Sequence, residues 1–567
     1  MIATFKTIGE AEVELFLPNW TPGSYLLREY ARHLSQVNAT ACDDQRSLRC
    51  VKTSKNRFAV ATDGADSVQL SYRVYAHELT VRTAHLDDSH AYWNNACLLL
   101  WPTGQRQLPA RITIEHAADW SLTCSLAATS AEPNSAGYAA TTLHAKDLDD
   151  ALDAPVLIGE TQRLEWTVDE VPHAIVLDGL AGIAPPVTLV EDLTKIVHHA
   201  AAVFGGSLPY ENYVFMALFT GEGYGGLEHR DSTTLLMART SLTTTSGYRE
   251  FLGLAAHELF HAWNVKRMRP VEFWNYDYEQ ENYTKLLWLM EGWTAYYDDL
   301  VLVRAGLTSR TEYLATMAKN IQSMNASPGR LELSLEDSSF DAWIRLYRPD
   351  ENTRNSSQNY YGNGAVVAMC LDILIRRASD GKSSLDAVLS KLYETTFQRG
   401  RGYEVADVYR IIEQLANADV VEQLIQLTTG PLDPQLAEIL IDVGVEITRS
   451  NSGKPFLGVG FRSGSTIIAS VIKDSPAAHG GLAPDDELLA IQGLRVKSSN
   501  WQTTLSAVAR IDEAVEILIT RRGRIQSLQV IPTAGQGTVK LQLCENPSTP
   551  QQTACKSWLG EVRLAQI

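Results

Sequence analysis

The sequence predicts a multidomain chain: an all-β N-terminal part, an α+β middle and a further β-rich part near the C-terminus. Three observations carry that prediction. The chain has 567 residues, too many for one hydrophobic core. Short runs of β-branched and aromatic residues, separated by turn residues, fill the first 165 positions and return after residue 453. Between them lies a stretch in which strands give way to segments of 3.6-residue periodicity, an α+β signature.

The elements follow in order. EVELFLP, SVQLSYRVYA and ARITIEH read as strands of a sandwich or open barrel. TLVEDLTKIVHHAAAVFG is helical and ends on glycine. NYVFMALF and STTLLMA read as strands on either side of a glycine-rich turn, GEGYGGLEH. Helices are expected at 248–267, 284–304, 309–324, 363–378, 383–394 and 404–417, and residues 432–445 read as a link. FLGVGF, TIIASVI, ELLAIQG and VEILITRR are then strands again, and the tail is polar and weakly patterned.

Composition narrows the function. Hydrophobic residues make up 45% and charged residues 20%, a globular balance. A formal net charge of -18 argues against nucleic acid, which needs a basic surface, and against anionic membranes. Seven cysteines lie far apart without C-x-x-C spacing. Reduced thiols are therefore expected, with a Cys544–Cys555 bridge as the pairing left open. No run reaches eighteen apolar residues, so no membrane span is expected. MIATFKTIGEAEVELF lacks the layout of a signal peptide, so the chain as it stands reads as cytoplasmic. A start placed too late would make it periplasmic instead.

The chemistry sits in HELFHAWNVK. His257 and His261 lie one helical turn apart on one face and can offer imidazole nitrogens to one metal ion. Glu258 lies to the side, within reach of a water on that metal. Zinc suits the ligand types. A third ligand is needed, and LLWLMEGWTAYYDDL supplies Glu291, a carboxylate in an otherwise apolar run.

HELFHAWNVKRMRP followed by ENYTKLLWLMEGWTAYY resembles the glycyl aminopeptidase family of zinc metallopeptidases, part of a thermolysin-like group that includes aminopeptidase N. LPNWTPGSYLLREYARH resembles the family's N-terminal domain, and SPAAHGGLAPDDELLAIQG resembles the core of a PDZ domain. The resemblance implies an N-terminal β-rich domain at 1–165, a thermolysin-like catalytic domain at 166–445, a PDZ domain at 446–540 and a tail at 541–567. It also implies one zinc ion per chain and peptides as substrates.

Further roles follow from the resemblance. GGLEH resembles an edge strand that pairs with substrate. Gly225 and Gly226 would line it, and Glu228 would hold a free α-ammonium. Leu227 and His229 stand where the wider group has Met and Asn. NYYGNG places the oxyanion-stabilising tyrosine at Tyr361, with Tyr360 as the competing choice and Asn363 in place of a lysine. PFLGVGF resembles the carboxylate-binding loop of PDZ domains, so Leu457, Gly458 and Val459 would receive a C-terminal peptide. The expected activity is removal of small N-terminal residues, glycine or alanine. The alternatives are a zinc endopeptidase and an inactive PDZ-bearing binding protein. Family members carry another strand before LPNW, for which this chain leaves little room.

Overall fold

The computed structural model describes residues 1–560 apart from 8, 451, 452 and 536. The chain forms two compact units. The first comprises Met1–Asn282 and Leu389–Glu404; the second comprises Tyr283–Val388 and the chain from Val405 onward. The break falls inside the segment expected to be one catalytic domain.

The first unit begins with two four-stranded sheets. One contains Ile2–Lys6 paired with Ser67–Val74; the other contains Glu12–Phe16 paired with Arg57–Ala61. Two strands therefore precede LPNW, which corrects the expectation of little room. Five residues suffice for a strand, and Gly9, at φ 73°, turns the chain between the two. Inward residues alternate along Ser67–Val74, where Val68, Leu70 and Tyr72 are buried.

A five-stranded sheet follows in the order Gln162–Val168, Val171–Asp178, Tyr213–Thr220, Ser232–Ala238, Tyr224–Glu228. Its middle strands run parallel, and helix Leu189–Val203 is the crossover. Tyr224–Glu228 pairs antiparallel with Ser232–Ala238 and forms the sheet's edge. The stretch first read as a turn is thus itself a strand. Its glycines hid the signal, because they carry no side chain to show alternation.

Helix Thr245–Phe260 is capped by Thr244, whose side chain accepts from the Gly247 N–H. It was expected to reach 267 and stops seven residues earlier. From His261 to Met268 the chain makes tight turns. Tertiary packing overrides the helical pattern there: Trp263 stacks on Phe204 with centroids 5.2 Å apart, and Arg267 is buried against Asp231.

In the second unit the expected helices appear as Leu287–Arg304, Arg310–Asn325, Tyr360–Ala378 and Val405–Leu415. Leu385–Thr395 spans the break between units. The link at 432–445 contains a short helix, Leu436–Leu440. Leu287–Arg304 is buried on nearly every side, as an apolar run without polar face requires. It crosses Tyr360–Ala378 at two glycines. A Cβ on Gly292 would lie 2.6 Å from the Gly364 Cα.

The C-terminal β-rich part has its own core, which includes Leu457, Ile468, Leu488, Ile491, Val515, Ile517 and Ile519. Val445–Arg449 pairs with Val539–Leu543 and closes it. The tail expected to lack pattern carries helix Thr549–Leu559, started by a Ser548/Gln551 capping box. Only Cys555, Trp558 and Leu559 of that helix are buried, too few to register as periodicity. The Trp558 indole donates to the Tyr296 hydroxyl at 2.7 Å. The tail's last residues, 561–567, lie outside the described residues. All seven cysteines are free, so Cys544 and Cys555 are not bonded. Among the described residues no helix is long and apolar enough to cross a membrane.

Candidate metal centre and substrate edge

His257 and His261 end the helix Thr245–Phe260 and its cap. Their Nε2 atoms stand 3.2 Å apart with the rings nearly perpendicular. The Asn264 carbonyl lies 2.6 Å from His261 Nδ1. A carbonyl only accepts, so Nδ1 carries the proton and Nε2 presents its lone pair toward His257. That contact exists because the helix ends early and the chain turns back at Asn264. Two zinc-bound nitrogens at tetrahedral angles lie about 3.3 Å apart, given bonds of ~2.0–2.1 Å, so this pair fits a zinc ion.

Glu258 is buried, at 5% exposure, under the edge strand. A Cβ on Gly226 would come 2.0 Å from Glu258 Oε1. Only a glycine lets that strand lie directly over the carboxylate. Two residues on, Glu228 is 4% exposed. One ligand atom each of Glu228, Glu258 and His261 fall within 4.8 Å of one another. Sequence separation gave no hint of that convergence.

Among the described residues the edge pairs with no further strand on its outer side. The His229 N–H donates to Ser232, which makes those two a hydrogen-bonded pair. Alternation along the antiparallel ladder then turns the backbone groups of Glu228 and Gly226 outward. One outward group is already used: Arg82 Nη2 donates to the Gly226 carbonyl at 3.2 Å. Gly225 lies beside the same guanidinium. Gly23, at φ 85°, closes on the other carboxylate; a Cβ there would meet Glu228 Oε2 at 2.4 Å. Both contacts come from the N-terminal β-rich segment.

A buried polar group supports this floor. Lys266 Nζ contacts Asp153 Oδ1 at 2.7 Å, and His229 Nδ1 lies 3.1 Å from the same oxygen. Burial pushes the Asp153 carboxyl up, yet the Lys266 charge and the His229 hydrogen bond outweigh it and hold it well below the usual range. Burial lowers Lys266, and the charges of Asp153 and then Glu228 raise it overall. Lys266 stands inside the motif that marked the metal centre, but its neighbours Asn264, Arg267 and Arg269 gave no sign that it would be buried. Arg82, Gly23 and Asp153 carried no signal in the sequence.

In the second unit Glu291 sits at 2% exposure in the second turn of Leu287–Arg304, beside Gly292. Tyr360 is fully buried; burial, then Tyr347, then the charge of Glu291 raise its phenol well above the ordinary value. Tyr361 keeps a partly exposed ring. Its hydroxyl lies 3.2 Å from that of Tyr347, and the Asn359 side chain caps its N–H at 2.9 Å. In the C-terminal β-rich part, Leu457 is buried and Gly458 has φ 85°, where a Cβ would strike Ser475. Val459 pairs with Val471, and Phe461 touches Trp501 with centroids 4.8 Å apart.

The M61 glycyl aminopeptidase model matches residues 250–367, the peptidase M61 N-terminal domain model matches 2–160, and a PDZ domain model matches 444–531. A solved aminopeptidase N family protein from Idiomarina loihiensis is 29% identical, with 98% of this chain and 97% of that chain covered and a TM-score of 0.90. An M1 zinc metallopeptidase from Deinococcus radiodurans is 17% identical over 77% of this chain and 90% of that one, with a TM-score of 0.48. No curated protein matches the chain.

Proposed function

The chain belongs to the M61 glycyl aminopeptidase family and is a zinc-dependent metallo-aminopeptidase, and from that premise we propose that it releases small residues, glycine or alanine, one at a time from free N-termini. His257, His261 and Glu291 would hold the zinc through two imidazoles and a carboxylate. When bound there, zinc would supply Lewis-acid activation of the attacking water and of the scissile carbonyl. Glu258 takes the proton of the attacking water and later returns it to the leaving amine. Tyr361, the more exposed of the two tyrosines, donates to the developing oxyanion.

The observation that carries the exopeptidase reading is the convergence of Glu228 on Glu258 and His261 within 4.8 Å. A substrate strand laid along Tyr224–Glu228 would bring its α-ammonium to Glu228. The carboxylate fixes the N-terminus there, and Gly23 packed behind it sets how far the N-terminus can travel. Arg82 holds Gly226 in place and fills one position of the free edge. Peptides are the substrates. The PDZ domain, through Leu457, Gly458 and Val459, would take a C-terminal peptide whose sequence is open to a binding screen.

The deciding experiment compares wild type with Glu258→Gln for bound zinc and for release of glycine and alanine from free and N-blocked peptides. The expected result is about one catalytic zinc in both proteins, with cleavage of free-amine substrates by wild type alone. Efficient cleavage of blocked peptides would replace this reading with an endopeptidase. Zinc binding without turnover on any peptide would leave the PDZ domain as the functional part.

A further inference from the structure

A second set of donors gathers on a hairpin of the N-terminal segment. Strands Ala84–Leu86 and His90–Trp93 pair so that His85 faces Tyr92 and Leu86 faces Ala91. The Asp87 N–H donates to the His90 carbonyl at 3.0 Å, which makes Asp87 and His90 the next opposite pair. Alternation therefore puts His85, Asp87, His90 and Tyr92 on one face. His77 bridges to His85 from the outer side, with ring centroids 6.0 Å apart.

The rings are oriented from behind. His90 Nδ1 lies 2.5 Å from Asp178 Oδ2, and both side chains are under one-tenth exposed. The carboxylate accepts, so Nδ1 carries the proton and Nε2 presents a lone pair. That Nε2 faces His85 Nδ1 at 2.8 Å. The Asp87 carboxylate is fixed beside them: its Oδ1 takes hydrogen bonds from the Ser89 N–H, the Ser89 hydroxyl and the His90 N–H. One ligand atom each of His85, Asp87 and His90 lie within 4.8 Å of one another. A buried carboxylate behind a histidine whose other nitrogen faces further donors is the usual outer support of a metal ligand.

We propose that His85 Nδ1, His90 Nε2 and an Asp87 carboxylate oxygen bind a divalent first-row transition ion of the zinc type, separate from the catalytic metal. Two imidazoles and one carboxylate suit such an ion, and His85 and Asp87 are solvent-accessible, so water completes the shell. The nitrogens must part from 2.8 Å to about 3.3 Å, close to the 3.2 Å seen for His257 and His261. His85 lies on the last strand of its sheet and its side chain is partly exposed, so the shift asked of it is a small rotation of the ring. The proton shared between the rings moves to His85 Nε2, so the exchange leaves both rings neutral. No residue of this site belongs to the His257, Glu258, His261 group, so the ion would brace the hairpin against Asp178 at the end of the catalytic sheet.

The test counts zinc on the full chain after equilibration in a buffer of micromolar free zinc. Wild type should hold about two equivalents. His85→Ala should hold one and keep peptidase activity, because the His90–Asp178 pair stays intact. The His257→Ala/His261→Ala double variant should also hold one, and the triple combination none. Cobalt in place of zinc gives a second readout: the visible band of the second equivalent should vanish in His85→Ala. If His85→Ala does not fold, Asp87→Asn reads the same loss. A single equivalent in wild type, or His85→Ala binding as much as wild type, overturns the proposal. Uptake only at millimolar zinc marks an adventitious ion and overturns it too. The catalytic double variant reports on the catalytic centre independently, so failure of either site is distinguishable.

Discussion

A Cβ placed on Gly226 would lie 2.0 Å from Oε1 of Glu258, so the backbone of the edge strand rests directly on the carboxylate proposed as general base. Strand and base are one construction. Gly226→Ala must displace either the strand or the carboxylate by most of a bond length. A misplacement near 1 Å costs on the order of 100-fold in rate. We expect kcat to fall by about that factor while the melting temperature and bound zinc stay close to wild type. Unchanged kinetics would disprove the contact.

Glu228 is expected to discriminate by substrate charge. Removing an acceptor of a charge-assisted hydrogen bond costs about 1.5–3 kcal/mol. Glu228→Gln should therefore lose roughly 10- to 100-fold in kcat/KM on free-amine peptides and nothing on N-blocked ones. Equal losses on both classes would remove Glu228 from its proposed role.

Asp153 and Lys266 should make stability depend on pH in a stated direction. The Asp153 carboxyl is held below its ordinary value, so its contribution is present above pH ~4 and lost as pH falls toward the folded value. Lys266 is raised, so its contribution is present below pH ~10 and lost as pH rises through the folded value. Asp153 is about one-fifth exposed, so Asp153→Asn should cost about 2 kcal/mol at pH 7, below the range for a fully buried pair. The gap between variant and wild type in chemical denaturation should close below pH 4. A gap that stays constant with pH would mean the effect is packing alone.

Gly292 and Gly364 hold two helices in backbone contact, and each carries a neighbour of functional interest, Glu291 and Asn363. Gly364→Ala should overpack the crossing and cost about 1–3 kcal/mol in stability. Thermal melting reads the loss, and zinc content reads whether Glu291 moves with it. A stability equal to wild type would contradict the close approach.

The two tyrosines should separate by readout. Tyr361→Phe removes a donor from a partly exposed ring and should lower kcat by about 100-fold with little change in KM. Tyr360→Phe should leave kcat near wild type, because that ring is sealed in the core. The reverse pattern would move the oxyanion role to Tyr360.

Much of this protein was legible before folding. Local chemistry writes itself into adjacent residues. His257, Glu258 and His261 are spaced by the helical turn, and Glu291 stood out as a charge in an apolar run. Strands with alternating burial, such as Ser67–Val74, were equally plain. What escaped were elements without a periodic signature: the glycine-rich strand Tyr224–Glu228, helix Thr549–Leu559 with its three buried residues, and the early stop of the zinc-motif helix at Phe260.

The sequence alone therefore determined the reaction class and pointed to the proposed metal ligands and general base, because those depend on spacing within a helix and on residue type. Only the tertiary structure decided what surrounds them. Arg82 reaches Gly226 across 144 residues of chain, Gly23 closes on Glu228, and Asp153 meets Lys266 across 113. Such contacts join residues whose identities say nothing about each other. They are fixed by which sheet packs against which, and that packing is a property of the whole chain's buried surface rather than of any short stretch of it.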